Sequence, residues 1–391
     1  MKYIYICNAV PQQVCDYKQL SVAGNKFSLN MAHAIDRAAH GNLELISTST
    51  VERQTIERLS SYEIWKGKKF YPIRRGKHFL LSEIFQAGRL FFFIRRYRQQ
   101  HKNEKIVIIL ENSPMGAAVC STLLKRLYKI ACFSITIDTP FTGAVSFRGL
   151  IGKINYWCFK TGQHQLKRFN GIITFTQEAC KQLNLHIPCC EFAIGFNLQR
   201  FPAKAPDTFR EDADKKIVYT GTLIYYNGII EMLDAFKRLG RQYQLHIYGY
   251  GPLEKDVQEA AQKYPNIIYH GRFSPNDTQQ ILSKYDLLLN LRVLDSFIEN
   301  FTFPSKLIDY MLSGKSILSS NFKTLPTAYH DFIYMINSVS VDEIIDGIKR
   351  VFQDSPDTRF EKSRKALEYL KNYQTYDIIA KKITLFIEKE S

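Results

Sequence analysis

Short apolar runs alternate with longer amphipathic stretches along most of the chain. The apolar runs predict β-strands at Tyr3–Cys7, Leu43–Ser47, Ile106–Leu110, Ala131–Ile137, Gly171–Phe175, Ile217–Thr220, Gln244–Tyr248, Ile267–His270, Leu287–Leu291 and Ser316–Ser319. The stretches between them carry apolar residues at helical spacing, as in Phe27–Ala38 and Gly228–Leu239. Strands that alternate with helices are typical of parallel, doubly wound α/β sheets.

This alternating pattern restarts in the middle of the chain. Leu198–Lys216 has two prolines, a charged run and no clear periodicity, which is typical of a linker. A chain of 391 residues is also too long for one ordinary core. We therefore expect a first domain at 1–200, a second at 215–355, and a helical segment at 356–391 that packs back onto the first domain.

The chain is basic, with 53 Lys and Arg against 37 Asp and Glu and a net charge of +16. Such a charge favours an anionic partner, although solubility alone is also a sufficient explanation for it. No helix-turn-helix, zinc-finger or RNP-type motif is present, so we expect no nucleic-acid partner. The first apolar run is short and no run reaches membrane-spanning length, which favours a cytoplasmic protein, at most peripheral on the inner membrane face.

The eight cysteines form no C-x-x-C pair, and no group of histidines completes a zinc set. Several cysteines lie inside apolar runs, which is typical of buried, reduced thiols. We expect no bound metal and no cofactor.

The most informative segment is FPSKLIDYMLSGK, residues 303–315. Pro304 suits the first position of a helix and Gly314 suits its end. The N-terminus of such a helix can bind a phosphate, with a hydroxyl from Ser305 and a cation from Lys306. Asp309 lies one turn behind, where its carboxylate can accept hydrogen bonds from ribose hydroxyls. The same segment also fits an ordinary, well-capped amphipathic helix, and the residues alone leave both interpretations open.

Four predicted strands upstream of this segment end in small or cationic residues. These residues are Gly221, Gly249 with Gly251, Gly271 with Arg272, and Arg292. Ligands of open α/β sheets bind at the carboxyl ends of the strands. Together the four strand ends favour an anion site in the second domain.

The order GTL, NGI, GYGP, NLR and FPSKLIDYMLSGK, from Ile217 to Ser319, resembles the donor domain of family 4 retaining glycosyltransferases, of the bacterial surface-polysaccharide type. The resemblance implies the GT-B architecture, in which two Rossmann-like domains face each other across a cleft. It also implies a nucleotide-diphosphate sugar bound by the C-terminal domain, an acceptor bound by the N-terminal domain, and no required metal.

The sequence departs from that family at several positions. Thr222 and Asn227 stand where the family usually has an Arg and a Lys on the diphosphate. Arg292 and Lys306 can supply this charge and stabilise the departing diphosphate. The second acid of the family's two-glutamate motif matches Asp309, and Glu299 is the nearest candidate for the first.

On the acceptor side, the resemblance points to Gly24 and Asn25 after the first strand, and to Asp138 where many members have a His. Asp138 can orient or deprotonate an acceptor hydroxyl. It also fits a turn aspartate that caps the following loop.

The stretch Phe79–Arg98 places aromatic and aliphatic residues beside arginines. This pattern fits a segment that lies on an anionic membrane surface, where a lipid-linked acceptor would be found. It equally fits an ordinary helix whose basic residues face solvent.

The predicted function is transfer of a hexose-type sugar to a lipid-linked or polysaccharide acceptor. A sugar-nucleotide epimerase or phosphorylase of the same architecture is an alternative. A degenerate protein that binds nucleotide without turnover is another, motivated by the missing Arg, Lys and Glu. A basic binding or scaffold protein is the non-enzymatic alternative.

Overall fold

A computed structural model describes residues 1–11, 22–48, 63–65, 68–72, 79–137, 149–202, 214–293 and 298–391. The chain divides into two compact units. Unit 1 comprises Met1–Phe192, Asn300–Thr302 and Tyr376–Ser391. Unit 2 comprises Ala193–Glu299 and Phe303–Thr375.

Unit 1 is built on an eight-stranded sheet. Its strands are β1 (Lys2–Cys7), β2 (Leu43–Ser47), β3 (Glu63–Trp65), β4 (Lys68–Pro72), β5 (Ile106–Glu111), β6 (Ala131–Thr136), β7 (Gly171–Thr174) and β8 (Cys189–Glu191). They lie in the order β3-β4-β2-β1-β5-β6-β7-β8, and all neighbouring pairs are parallel except β3 with β4. The central strands are buried on both faces, which explains their continuous apolar sequences.

Helices cover both faces of this sheet. They are α1 (Val22–Ala38), α2 (Phe79–Gln100), α3 (Met115–Tyr128), α4 (Gly149–Leu166) and α5 (Gln177–Gln182). Residues of α2, α3 and α4 join Ile4, Ile6, Ile108 and Leu110 in one apolar core on one face of the sheet. The last helix of the chain, α12 (Tyr376–Glu390), packs against α1.

Unit 2 is built on a six-stranded, entirely parallel sheet. Its strands are β9 (Lys215–Thr220), β10 (Tyr243–Tyr248), β11 (Ile267–Gly271), β12 (Leu287–Asn290), β13 (Ser316–Ser320) and β14 (Tyr334–Ile336). They lie in the order β11-β10-β9-β12-β13-β14. Its helices are α6 (Ile229–Arg238), α7 (Glu254–Lys263), α8 (Thr278–Leu282), α9 (Lys306–Leu312), α10 (Val341–Gln353) and α11 (Pro356–Tyr373).

Short 3-10 turns complete the described structure. They lie at Leu198–Arg200, Tyr225–Asn227, Pro275–Asp277, Ile298–Phe301 and Thr327–Asp331. Two long helices of unit 2 begin at serine N-caps. The hydroxyl of Ser340 accepts from the amide of Glu343 at 3.2 Å, and the hydroxyl of Ser355 accepts from the amide of Thr358 at 3.2 Å.

The predicted fold class, two Rossmann-like α/β domains, is confirmed, and each predicted strand is present to within two residues at its ends. The unit boundaries follow the packing of the last two helices. Helix α11 packs on α9 and β13 and so lies in unit 2, whereas α12 packs on α1 and β7 and so lies in unit 1. Unit 2 also begins at Ala193, ahead of the segment that the sequence suggests as a linker.

One predicted helix start is wrong. Helix α9 begins at Lys306, two residues after Pro304. The reason is a tight turn before the helix, in which the amide of Leu307 donates to the carbonyl of Pro304 at 2.9 Å and that of Ile308 donates to Ser305 at 3.2 Å. The predicted end is confirmed, because Gly314 follows the helix with a φ of +66°.

Two glycine turns in unit 2 generate a prediction about stability. A Cβ at Gly249, whose φ is +148°, would overlap the backbone carbonyl of Gly221. A Cβ at Gly271, whose φ is +75°, would meet no atom within 4 Å. Gly271→Ala should therefore cost only backbone strain, about 1–2 kcal/mol. We expect Gly249→Ala to lower the Tm at least twice as far in thermal unfolding monitored by circular dichroism. Equal losses of Tm would show that the two turns do not pack as described.

Candidate functional site

The carboxyl edge of the sheet in unit 2 is formed by turns whose backbones bond to one another. The amide of Gly221, after β9, donates to the carbonyl of Tyr248 at 2.9 Å. The amide of Gly249, after β10, donates to the carbonyl of Gly271 at 2.8 Å. The strands are parallel, so these turns lie side by side at one edge, where ligands of such sheets bind.

The next residues of these turns are also in close contact. The amide of Leu223 donates to the carbonyl of Tyr250 at 3.0 Å, and a Cβ at Gly251 would overlap the backbone of Leu223. The absence of side chains at the glycines leaves this edge lined by backbone, which allows a ligand to approach closely. The structure thus brings together Gly221, Gly249 and Gly251, as the sequence predicted.

Lys306 lies directly against the first turn. A Cβ at Gly221 would lie 3.0 Å from the Lys306 Nζ, and this nitrogen sits 4.3 Å from the centre of the Tyr219 ring. The residue as a whole is partly exposed, but its Nζ is buried and has no hydrogen-bond partner among the described residues. Burial, and secondarily the charge of Arg292, lower the pKa of Lys306 to about 7.

Arg292 supplies the second cation of the same region. It follows β12, and Ser320 fixes its backbone, since the hydroxyl accepts from the Arg292 amide and donates to its carbonyl, both at 3.0 Å. Burial lowers the pKa of the Arg292 guanidinium, while Tyr219 partly offsets that effect. Two desolvated cations beside a backbone-lined edge are chemically suited to a compact anion such as a diphosphate.

Thr222 and Asn227, predicted on the donor side, lie in the turn after Gly221. The amide of Asn227's side chain donates to the Thr222 carbonyl at 2.8 Å, and the Tyr219 hydroxyl donates to the same carbonyl at 2.9 Å. The Asn227 side chain therefore holds the turn in shape. Thr222 itself is exposed at the surface of the unit.

Arg272, after β11, lies at the far side of the glycine turns. Its guanidinium is 4.0 Å from the centre of the exposed Tyr250 ring, a cation–π contact. The structure therefore brings Arg272 to the turn that contains Gly249 and Gly251.

Ser305 and Asp309 lie on the segment that carries Lys306. Ser305 is exposed immediately before α9. The Asp309 carboxylate is ion-paired with Arg200, and its backbone carbonyl accepts from the side chain of Gln279 at 3.0 Å. Glu299 is buried, with its carboxylate 3.9 Å from the Nζ of Lys323.

Sequence reasoning missed two residues of this region. Arg200 lies 109 positions before Asp309, in a short 3-10 turn, and nothing local in its sequence marks it as a partner of that carboxylate. The buried hydroxyl of Tyr310 contacts the amide and hydroxyl of Thr220, at 3.2 and 3.1 Å, and the carbonyl of Leu289 at 3.3 Å. Its sequence position in an amphipathic helix gives no sign of these contacts with two strands.

In unit 1, the predicted acceptor-side residues lie at the carboxyl end of β1. The side-chain amide of Asn25 accepts from the amide of Val10 at 2.8 Å and donates to its carbonyl at 3.1 Å. The carbonyl of Gly24 accepts from the hydroxyl of Ser28 at 3.0 Å. The side chain of Asn25 therefore stabilises the loop after β1. Asp138 lies outside the described residues.

Sequence reasoning also missed a buried carboxylate in unit 1. Glu111, the last residue of β5, accepts from the Tyr5 hydroxyl at 2.8 Å and from the Ser28 hydroxyl at 2.7 Å. The hydrogen bonds explain how a carboxylate is accommodated at this depth. A charged residue at the end of an otherwise apolar strand was the available signal.

No helix among the described residues is both long enough and apolar enough to cross a membrane. The same residues contain no group of three or more His, Cys, Asp and Glu side chains arranged to hold a metal ion.

The sequence and the structure were compared with those of known proteins. Residues 201–372 match the family model of glycosyl transferases group 1. No curated protein sequence matches the chain at a significant level.

Solved structures match the chain over its whole length. The lipopolysaccharide outer core galactosyltransferase WaaB, in its apo form, has a TM-score of 0.69 at 13% identity, covering 100% of both chains. Anabaena HepE in complex with UDP has a TM-score of 0.68 at 12% identity, again covering 100% of both chains. The trehalose-6-phosphate synthase OtsA has a TM-score of 0.68 at 12% identity, covering 100% of this chain and 99% of its own. At these identities the likeness establishes the fold. Residues 201–372 therefore match the glycosyl transferases group 1 model, and the chain shares over its whole length the fold of these solved structures, with two Rossmann-like domains.

Proposed function

We propose that this protein transfers a sugar from a nucleotide-diphosphate sugar to a saccharide acceptor, with retention of the anomeric configuration. The observation that carries the proposal is the buried Nζ of Lys306, which lies beside Arg292 and the glycine turns and has no hydrogen-bond partner within the part of the chain that the structure describes. An unpaired buried ammonium is costly to a fold. A bound diphosphate would offset this cost and would occupy the edge that the turns leave open.

The donor side of the proposal assigns a role to each residue near that edge. Lys306 and Arg292 hold the diphosphate and stabilise the charge that develops on it as the sugar departs. The backbone near Gly221 and Gly249 admits the phosphates, and Asp309 receives the ribose once Arg200 shares or releases its carboxylate. Because two cations are already in place, the proposed reaction uses no metal ion, and we expect turnover to persist in EDTA.

A uridine-diphosphate sugar is the first donor to test. Structures of the HepE neighbour contain UDP and UDP-glucose, which supports a UDP-sugar here. The acceptor in the proposal is a saccharide on a lipid carrier or on a growing polysaccharide, of the surface-polysaccharide type. Asp138 would orient or deprotonate the attacking hydroxyl of that acceptor.

Nucleotide binding tests the donor site directly. Lys306→Met removes the buried charge but keeps an apolar stem of similar length. We expect UDP affinity, measured by isothermal calorimetry, to fall by about tenfold to a hundredfold, since hydrogen bonds to charged groups contribute about 1.5–3 kcal/mol. Arg292→Ala should weaken binding to a similar degree.

The matched control is Lys255→Met, which removes a cation that is 85% exposed on α7. It should bind UDP as the wild type does. The Tm of unliganded Lys306→Met should not fall, because the variant relieves a buried charge. Failure of the folded wild type to bind UDP, GDP or ADP would refute the proposed donor site.

The lowered pKa of Lys306 predicts proton uptake on binding. In the unliganded protein its pKa is about 7, so at pH 8 most of the population is neutral. A bound diphosphate favours the charged form and raises this pKa, so each binding event should take up close to one proton. Calorimetry in buffers of different ionisation enthalpy measures the uptake.

We also expect UDP affinity to fall as the pH rises from 7 to 9, by at most about tenfold per pH unit. In Lys306→Met the proton uptake at pH 8 should vanish and the pH dependence should flatten. The same uptake in wild type and variant would show that another group titrates.

The stereochemistry of transfer tests the retaining part of the proposal. With UDP-glucose as donor and a saccharide acceptor, we expect ¹H NMR of the fresh product to show the donor's α-configuration. A β-linked product would refute retention while leaving the donor site intact.

A degenerate, nucleotide-binding protein is the second candidate function. Thr222 and the side chain of Asn227 contribute no cation to the site, which favours this alternative. UDP binding that depends on Lys306, without hydrolysis or transfer from any UDP-sugar, would support it.

A further inference from the structure

Helices α2 and α3 of unit 1 lie side by side and point in the same direction. Near their N-termini, the amide of Gly116 donates to the Glu83 carboxylate at 2.7 Å, and a Cβ at Gly116 would overlap the backbone of Glu83. Near their C-termini, Arg95 and Tyr128 line one cavity. The outer surfaces of the two helices therefore form one continuous face.

Large apolar side chains are exposed along this face. They are Leu81, Ile84, Phe85 and Phe92 on α2, and Val119, Leu123 and Leu127 on α3. Phe92 is 67% exposed and Phe85 is 59% exposed. Their spacing places each set on one side of its helix, opposite the buried side formed by residues such as Leu90, Ile94 and Leu124. We call these seven side chains the α2–α3 face.

A cationic cavity of about 570 Å³ lies at one end of the α2–α3 face. Its lining residues are Arg95, Arg98, Gln99, Lys102, Leu127, Tyr128 and Lys129. Leu127 belongs to both features, so the apolar surface runs directly into the cavity. Arg98 is partly used in the fold, since its guanidinium donates to the carbonyls of His101 and Lys102, at 3.3 and 2.7 Å.

The two helices are almost free of acidic residues. Together they contain six Lys and Arg side chains and a single carboxylate, Glu83. Glu83 is buried and accepts from the N-terminal turn of α3, so it does not face outward. The exposed charge on the two helices is therefore positive.

We propose that the α2–α3 face docks on an anionic phospholipid bilayer, with a lipid phosphate in the cationic cavity. Exposed aromatic and aliphatic side chains bury apolar area at the headgroup boundary, and the adjoining cations attract acidic lipids. A protein partner would require acidic groups at one end of an otherwise apolar surface, whereas the bilayer offers phosphates and acyl chains together. Docking is independent of the transfer reaction proposed above.

Sedimentation with vesicles tests this docking. We expect the wild type to bind vesicles of phosphatidylcholine mixed with phosphatidylglycerol, to bind pure phosphatidylcholine far more weakly, and to dissociate as salt is added. Arg95→Gln combined with Lys102→Gln should weaken binding to the acidic vesicles by roughly 25-fold, about fivefold for each charge. Phe92→Ser should also weaken it, because it removes apolar area from the interface.

Matched controls use exposed residues elsewhere. Lys365→Gln with Lys381→Gln removes two exposed cations from α11 and α12, and Leu385→Ser removes an apolar side chain that is 57% exposed. Both controls should bind vesicles nearly as the wild type does. All variants should bind UDP equally, which separates this test from that of the donor site.

Three results would overturn the docking proposal. The first is equal binding to acidic and neutral vesicles. The second is an unchanged vesicle affinity in the cavity and Phe92 variants. The third is self-association in sedimentation equilibrium that Phe92→Ser abolishes, which would assign the α2–α3 face to a second copy of the chain.

Discussion

The close approach of the turns after β9 and β10 governs the candidate site in unit 2. Gly221 and Gly249 adopt positive φ angles; a Cβ at Gly249 would overlap the Gly221 carbonyl, and a Cβ at Gly221 would lie in tight contact with the Lys306 side chain. A side chain at Gly249 would force the two strands apart at their carboxyl ends. The sheet can therefore present bare backbone at this edge only while both residues remain glycine.

The cations of the site depend on that constraint. Because no side chain projects from Gly221, the stem of Lys306 can lie against the turn and bring its Nζ over the Tyr219 ring. The cation–π contact only partly compensates for the lost hydration of the ammonium. The low pKa of Lys306 reflects the desolvation of the ammonium that remains uncompensated, and a dianionic ligand would offset this desolvation.

The two cationic surfaces of the protein use charge in different ways. Lys306 and Arg292 are few and desolvated, so each interaction with an anion is strong and short in range. The cations at the end of the α2–α3 face are exposed and screened by salt, so several must act together, and adjoining apolar area has to contribute.

Hydrophobic periodicity was sufficient to predict the two sheets and the central strands. The runs at Tyr3–Cys7 and Ile106–Leu110 are continuous and apolar because parallel strands are buried on both faces. Glycines at strand ends and the FPSK segment also indicated the edge where Gly221 and Lys306 meet. These signals are local, since each reflects the environment of a few consecutive residues.

Only the tertiary structure decided how individual side chains are used. The pairing of Asp309 with Arg200 joins residues 109 positions apart, and a sequence carries no record of such a contact. The side chain of Asn227 donates a hydrogen bond to the Thr222 carbonyl and so holds the turn, a use that its sequence position does not reveal. The helix after Pro304 begins late because local hydrogen bonds favour a tight turn. The burial of Lys306 and the parallel packing of α2 on α3 likewise depend on contacts between distant segments. The sequence by itself therefore determined the elements and the type of site, whereas packing decided which polar atoms remain available to a ligand.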